Sequence, residues 1–183
     1  KGKINFCFLF HSLFTLEFMS IFSHSGYGYS KTICQTTTTW FLNKHLSKHE
    51  IGNLEVVHKG LKRDDSWGYC DPIEDGYRIE LQSGMKKDLY IRTLLHELIH
   101  VKQWVEGRLH YRCGRAMFFL DEYVGGASDY HKQPHEIEAF ELEDIIYYEY
   151  LEEIYGVTPD EVSFFCSNRF PSRYTGNINK EVL

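Results

Sequence analysis

The sequence predicts an α+β fold in which a small mixed β-sheet is combined with two long helices. In Lys87–Glu106, apolar residues recur at three- and four-residue steps, which is the spacing of one helical face. Pro134–Tyr155 opens with a proline and acidic residues and is followed by Gly156, as is typical of a helix. Two short runs of β-prone or alternating composition supply the strands. We therefore expect one compact domain that contains both kinds of element.

The first helix and the strands are predicted upstream of these two helices. Ser30–His49 is predicted to be helical, although four consecutive threonines disfavour the helix because β-branched side chains lose rotamer freedom there. Leu54–His58 is β-prone, and alternate residues of Tyr77–Leu81 share one face, so both are predicted strands. Residues 63–76 are rich in glycine, aspartate and proline, and we predict that they form a loop.

Residues typical of helix ends and turns predict the secondary structure of the remaining segments. Gly107 marks the end of the helix over Lys87–Glu106. Arg108–Gln133 contains several glycines and is predicted to be a loop with one strand. Thr158–Glu161 has the pattern of a capping box, which predicts that a further short helix opens there.

Length, charge and composition narrow the classes of function. The chain has 183 residues, of which 43% are hydrophobic, enough for a core without disulfide support. Residues 23–183 are therefore predicted to form a single domain. The formal net charge is −6, so no long-range field attracts polyanions. We expect neither a nucleic-acid partner nor stable insertion into a membrane.

The cysteines and the N-terminal segment bear on localisation. The five cysteines are widely spaced and form no CxxC pair, which disfavours a disulfide framework or a cysteine-rich zinc knuckle and predicts a cytoplasmic protein. Residues 1–22 have a basic start and an apolar run that resembles a secretory signal, although His11 and Glu17 interrupt it. A true signal would make the protein secreted. The alternatives are a fragment or a reading frame extended upstream of Met19.

The motif that carries chemistry is His96–His100, which has the sequence HELIH and matches HExxH. A spacing of four residues places both imidazoles on one helical face, one turn apart, as two adjacent ligands of a tetrahedral zinc. Glu97 projects beside them, where it can take a proton from a zinc-bound water during attack on a carbonyl. We predict one zinc ion bound by His96 and His100, with partnered core histidines as the alternative.

A third ligand has to come from outside the motif. A metzincin would continue as HExxHxxGxxH, but Gln103 and Glu106 occupy the positions of its glycine and third histidine, which excludes that class. The PHEIEAFE segment that begins at Pro134 offers three acidic residues on the second long helix. A carboxylate is a common third zinc ligand, so Glu136 and Glu138 are both candidates.

The combination of HExxH with a later ExxA resembles the gluzincin group of zinc metallopeptidases, over about Tyr77 to Glu143. The ExxA match implies Glu136 as the third zinc ligand and Ala139 as a small residue that lets two helices approach. The resemblance also implies a zincin-like fold, with a small mixed β-sheet, an active-site helix and a following ligand-bearing helix. Phe140 stands where an aspartate often follows the alanine, so the groups that orient the histidines stay open.

The strings TLLHELIHVKQW and PHEIEAFELE are also similar to small metallopeptidase-like proteins from phages and bacteria. The implied function is a zinc-dependent hydrolase, a metallopeptidase that cleaves peptide bonds of a peptide or protein substrate, with Glu97 as its catalytic base. One alternative is a non-catalytic, zinc-stabilised binding or structural module. Another is a hydrolase of a different amide or of nucleic acid.

Further residues are predicted around the site. Tyr77–Leu81 precedes the motif helix, so it is the predicted edge strand on which an extended substrate adds by β-augmentation, with an ordinary sheet edge as the alternative. Tyr130 and His131 precede the ligand helix and are the predicted oxyanion stabilisers, with ordinary loop residues as the alternative. The predicted pocket lining also includes His110, His135 and Gly68–Cys70.

Overall fold

The computed structural model describes residues 22–61, 66–112, 116–124 and 130–157. The α-helices of these residues are α1 (Lys31–His45), α2 (Lys87–Val105) and α3 (Pro134–Tyr155). The strands are β1 (Phe22–Gly26), β2 (Asn53–Lys59), β3 (Gly68–Ile73), β4 (Gly76–Gln82), β5 (Leu109–Arg112), β6 (Ala116–Phe119) and β7 (Glu122–Tyr123). A 3₁₀ turn spans Tyr130–Lys132. The α+β class and the small mixed sheet that the sequence predicts are confirmed.

The larger sheet has the strand order β1-β2-β4-β3. Strands β1, β2 and β4 are parallel, and α1 is the connection between the first two. Strand β3 runs antiparallel to β4 at the edge of the sheet. Helix α2 follows β4 and packs on β3 and β4, while α1 packs on α2. The helix with the HExxH motif therefore lies next to the antiparallel edge strand.

Alternation along β2 and β4 gives this sheet one apolar face. The inward residues Leu54, Val56, Ile79 and Leu81 are completely buried. The opposite face carries ion pairs between neighbouring strands, Arg78 with Glu55 and Lys59 with Glu80. The register that places Val56 opposite Ile79 fixes which side chains enter the core, because a slip of one residue would exchange the two faces.

Helix α1 forms despite its threonine run. The Ser30 side chain caps it by accepting a hydrogen bond from the N–H of Ile33, at 3.3 Å. Thr37 and Thr38 are completely buried, so packing against the rest of the core outweighs their low helix propensity. The helix ends at His45, short of the predicted end at His49.

The predicted loop over residues 63–76 is wrong in part, because it contains β3. Pro72 and the neighbouring glycines and aspartates are loop signals, but pairing with β4 overrides them. The missing N–H of Pro72 is tolerated because this strand lies at the sheet edge. The prediction that Tyr77–Leu81 is the edge strand is also wrong, because these residues belong to β4, which lies between β2 and β3.

The segment after α2 also contains more strand than expected. Gly107 adopts φ 69°, a left-handed conformation suited to glycine, just after the end of α2. Instead of one strand, β5, β6 and β7 then form a separate antiparallel sheet. Its small core consists of Leu109, Phe119 and Val124, and Trp104 of α2 packs against it.

The chain divides into two compact units, 1–147 and 148–183. The described part of the second unit comprises the last turns of α3 and the two residues after it. The prediction of one domain over 23–183 therefore stays a prediction. The apolar segment predicted over 1–22, apart from Phe22 at the start of β1, and the helix predicted at Thr158–Glu161 lie outside the described residues.

Candidate metal centre

Helix α2 places His96 and His100 together, and the first turn of α3 brings Glu136 against them. One donor atom from each of these three residues lies within 4.8 Å of the others. The Nε2 atoms of the two histidines are 3.2 Å apart. The two carboxylate oxygens of Glu136 lie 3.2 Å from His96 Nε2 and 3.4 Å from His100 Nε2. These are the three ligands expected from the sequence, and their donor atoms lie close together.

This cluster is almost completely shielded from solvent. All residues of α2 from Thr93 to Val101 are buried, and His96, His100 and Glu136 are each at most 6% exposed. Buried polar side chains require partners, because desolvation without a hydrogen bond or a counter-charge costs several kcal/mol (about 2–7). The partners of each ring nitrogen therefore decide what the cluster can bind.

His100 is oriented by Gln103, one turn further along α2. The Nδ1 atom of His100 lies 2.8 Å from Oε1 of Gln103. The amide nitrogen of the same glutamine donates to the carbonyl of His135 at 2.9 Å and to Glu138 at 2.8 Å. The carbonyl of His135 and the carboxylate of Glu138 can only accept hydrogen bonds, so they face the amide nitrogen of Gln103. The amide oxygen of Gln103 therefore faces His100, and Nδ1 of His100 carries the proton. The lone pair of Nε2 then points into the cluster.

His96 has an acidic group at ion-pair distance from its Nδ1 atom, without hydrogen-bond geometry. Its Nδ1 atom lies 3.3 Å from Oε2 of Glu143, whose other oxygen accepts from Arg92 at 3.3 Å. Arg92 also pairs with Asp144 and stacks over the ring of Tyr147. Glu143 favours a proton on Nδ1 and Glu136 favours one on Nε2, so His96 faces a carboxylate at each of its ring nitrogens.

The Nε2 atoms of His96 and His100 and the Glu136 carboxylate face one another at 3.2–3.4 Å, so a proton or a cation between them stabilises the cluster. Burial lowers the pKa of His96, but the surrounding carboxylates, led by Glu136 and Glu143, outweigh burial and raise this pKa to about 10. The cluster therefore holds a proton or a metal ion. Two imidazoles and one carboxylate fit a zinc ion.

Glu97 lies beside the cluster and is not one of its converging donors. It is 4% exposed and packs against β3, where a Cβ atom on Gly68 would lie 2.5 Å from its Oε1 atom. A glycine at this position leaves room for the carboxylate where it lies. Burial raises the pKa of Glu97, while His96 and His100 lower it. A carboxyl group with a raised pKa is closer to the range in which a general base works at neutral pH.

The rival ligand Glu138 faces a different set of partners. It pairs with Arg108 at 2.5 Å and accepts a hydrogen bond from Gln103. Ala139, the other residue of the ExxA match, is completely buried. Phe140 places its ring centroid 4.6 Å from that of His96, and Oε2 of Glu143 lies 3.3 Å from His96 Nδ1.

Three residues predicted to line the pocket, His135, Cys70 and His110, differ in how close they lie to the cluster. His135 is buried with Nε2 3.4 Å from Glu136, and burial lowers its pKa to about 4. Cys70 lies close enough to Glu97 for that charge to add to burial in raising the pKa of the thiol. His110 instead stacks on Phe118 of the small sheet, with its ring centroid 5.9 Å away.

The two predicted oxyanion stabilisers stay predictions. His131 is exposed and its ring lies 5.7 Å from that of Phe140. The side chain of Tyr130 lies outside the described part of the chain.

Sequence reasoning missed Gln103 and Glu143 as neighbours of the ligands and Arg92 as the partner of Glu143. Gln103 follows His100 by three residues, a spacing at which helix side chains meet, so it could have been found. Glu143 contacts His96 only because α3 packs against α2, and no local pattern signals that contact.

Comparison with protein-family models, curated proteins and solved structures finds no match for this chain. In the part of the chain that is described, no helix combines the length and the apolar character that crossing a membrane requires.

Proposed function

We propose that this protein is a zinc-dependent hydrolase, a metallopeptidase of gluzincin type. The observation that carries the proposal is the close approach of the donor atoms of His96, His100 and Glu136. A separate buried carboxylate, that of Glu97, lies next to them. A purely structural zinc site has no need of this second acidic group.

The reaction needs a Lewis acid and a base. Zinc, when bound, polarises a substrate carbonyl and lowers the pKa of a coordinated water to about 7. Glu97 takes the proton from the attacking water and delivers it to the leaving nitrogen, so the base becomes the acid of the second step. The absence of a Cβ at Gly68 leaves room for that carboxylate beside the edge strand. Burial raises its pKa, while His96 and His100 favour its charged form.

The edge strand β3 suits an extended substrate and supports a zincin-like fold. The N–H of Gln82 donates to the carbonyl of Trp67 at 2.9 Å, which fixes the alternation of the β3–β4 ladder. By that alternation, the N–H and C=O of Cys70 point to the edge that no other described strand covers. A peptide added there would run beside Glu97, which supports peptides as substrates.

The second candidate function is a zinc-stabilised module without catalysis. The specific observation that favours it is the burial of the whole cluster, including His135 beside Glu136. In that case the metal would contribute folding free energy, and its removal would unfold the protein.

The experiment that separates the two candidates is digestion of a peptide mixture by the purified, zinc-loaded protein, followed by mass spectrometry. We expect cleavage that falls to background on chelation and returns when zinc is added back. At a free zinc concentration about 1,000 times Kd, bound metal also adds about 4 kcal/mol to stability, so thermal unfolding is recorded in parallel. Unfolding when zinc is removed, without any cleavage of peptides when zinc is bound, would contradict the peptidase proposal and favour the structural module.

A further inference from the structure

Gln103 uses all of its side-chain hydrogen-bonding groups on the two ligand helices. It is completely buried on α2. Its oxygen accepts from His100 Nδ1 at 2.8 Å, and its nitrogen donates to the backbone carbonyl of His135 at 2.9 Å and to Glu138 at 2.8 Å. One side chain therefore contacts a predicted zinc ligand on α2 and the backbone next to the predicted ligand on α3.

The orientation of this amide is fixed from outside. Arg108 pairs with both oxygens of Glu138 at 2.5 Å. That pairing holds the carboxylate as an acceptor and excludes a flipped amide, which would place the glutamine oxygen against Glu138 and the carbonyl of His135. The ion pair also balances the charge of Glu138, so no net charge is added beside His100.

We infer that Gln103 is a positioning residue that sets both ligand helices for the metal. Through its oxygen it keeps the proton of His100 on Nδ1, which leaves Nε2 free for the cation. Through its nitrogen it holds the first turn of α3, so that Glu136 meets the histidines. This inference rests on the proposed metal site and adds a residue that does not touch the metal.

A matched control exists elsewhere in the same molecule. Gln82 is also buried, 4% exposed, and its oxygen accepts from the N–H of Leu61 at 2.5 Å while its nitrogen donates to the carbonyl of Ser83 at 2.7 Å. None of these partners is a predicted ligand. Gln82→Met therefore removes a comparable buried amide without touching the cluster.

The test compares Gln103→Met with Gln82→Met. Zinc affinity is measured by competition with a chromophoric chelator, and the ligand field is measured from the absorption of the cobalt-substituted protein. We expect Gln103→Met to weaken zinc binding by about 10–100-fold and to change the cobalt spectrum, because partners that orient metal ligands have effects of that size. Gln82→Met is expected to keep the wild-type zinc affinity and spectrum, although both variants lose stability.

The isosteric variant Gln103→Glu separates the two contacts and keeps the volume of the side chain. It retains an acceptor for His100 but has no donor for the carbonyl of His135 or for Glu138. We expect weaker zinc binding from this variant too. Affinity equal to wild type in Gln103→Glu would overturn the contribution of α3. Equal zinc affinity in Gln103→Met and Gln82→Met would overturn the positioning role, whereas a wild-type protein that binds no zinc would overturn the metal site itself.

Discussion

Replacing Glu97 with glutamine is expected to abolish peptide hydrolysis while leaving zinc bound. Glutamine has the same shape, so it still fits against Gly68, but it cannot accept the proton of the attacking water. Removal of a general base typically costs about 10²–10⁴-fold in rate. The measurement is kcat on a peptide that the wild-type protein cleaves, together with the zinc content of the same preparation.

The control for this variant is Glu141→Gln, which makes the same chemical change at an exposed position of α3. It is expected to keep both activity and zinc. Hydrolysis by Glu97→Gln at the wild-type rate would contradict the assignment of Glu97 as the base. Loss of zinc from Glu97→Gln would instead mean that this residue is a ligand.

Replacing Glu136 with alanine is expected to remove zinc from the protein at concentrations that saturate the wild type. This carboxylate contacts both histidines, so its loss removes a ligand and a negative charge from a buried site. We expect the loss in affinity to exceed the roughly 10–100-fold that is usual for partners that only orient ligands. Competition with a chelator of known affinity measures it.

Glu138→Ala, two residues away, is the matched comparison. Glu138 pairs with Arg108 and Gln103, so its removal is expected to leave zinc bound, with at most about tenfold weaker affinity. If Glu138→Ala loses the metal and Glu136→Ala retains it, the assignment of the third ligand is wrong.

The sequence predicted the parts of the site that depend on one helix. His96 and His100 face the same side of α2 because four residues make about one turn, and the apolar residues around them already indicated burial. The bounds of α3 were predicted well because Pro134 and Gly156 frame it.

The choice between Glu136 and Glu138 could not be made from the residues alone. Residues two apart on a helix point in nearly opposite directions, about 200° apart, so only the packing of α3 decides which one meets the histidines. The resemblance to ExxA favoured Glu136, and the contacts of Glu138 with Arg108 place it elsewhere.

The edge strand was missed because tertiary contacts overrode local signals. Gly68 and Pro72 are turn formers, yet the strand needs a glycine beside Glu97 and tolerates a proline at an open edge. Strand order was equally out of reach, since β4 pairs with β2 and β3 through contacts that are distant in sequence.

X-ray absorption at the zinc edge of the wild-type protein, loaded with one equivalent of zinc, tests directly whether His96, His100 and Glu136 bind the metal. We predict nitrogen and oxygen neighbours at about 2.0–2.2 Å, including two imidazoles, and no sulfur. A sulfur neighbour at about 2.3 Å, which would bring in a cysteine such as Cys70, or a zinc ion without imidazole ligands would contradict this prediction.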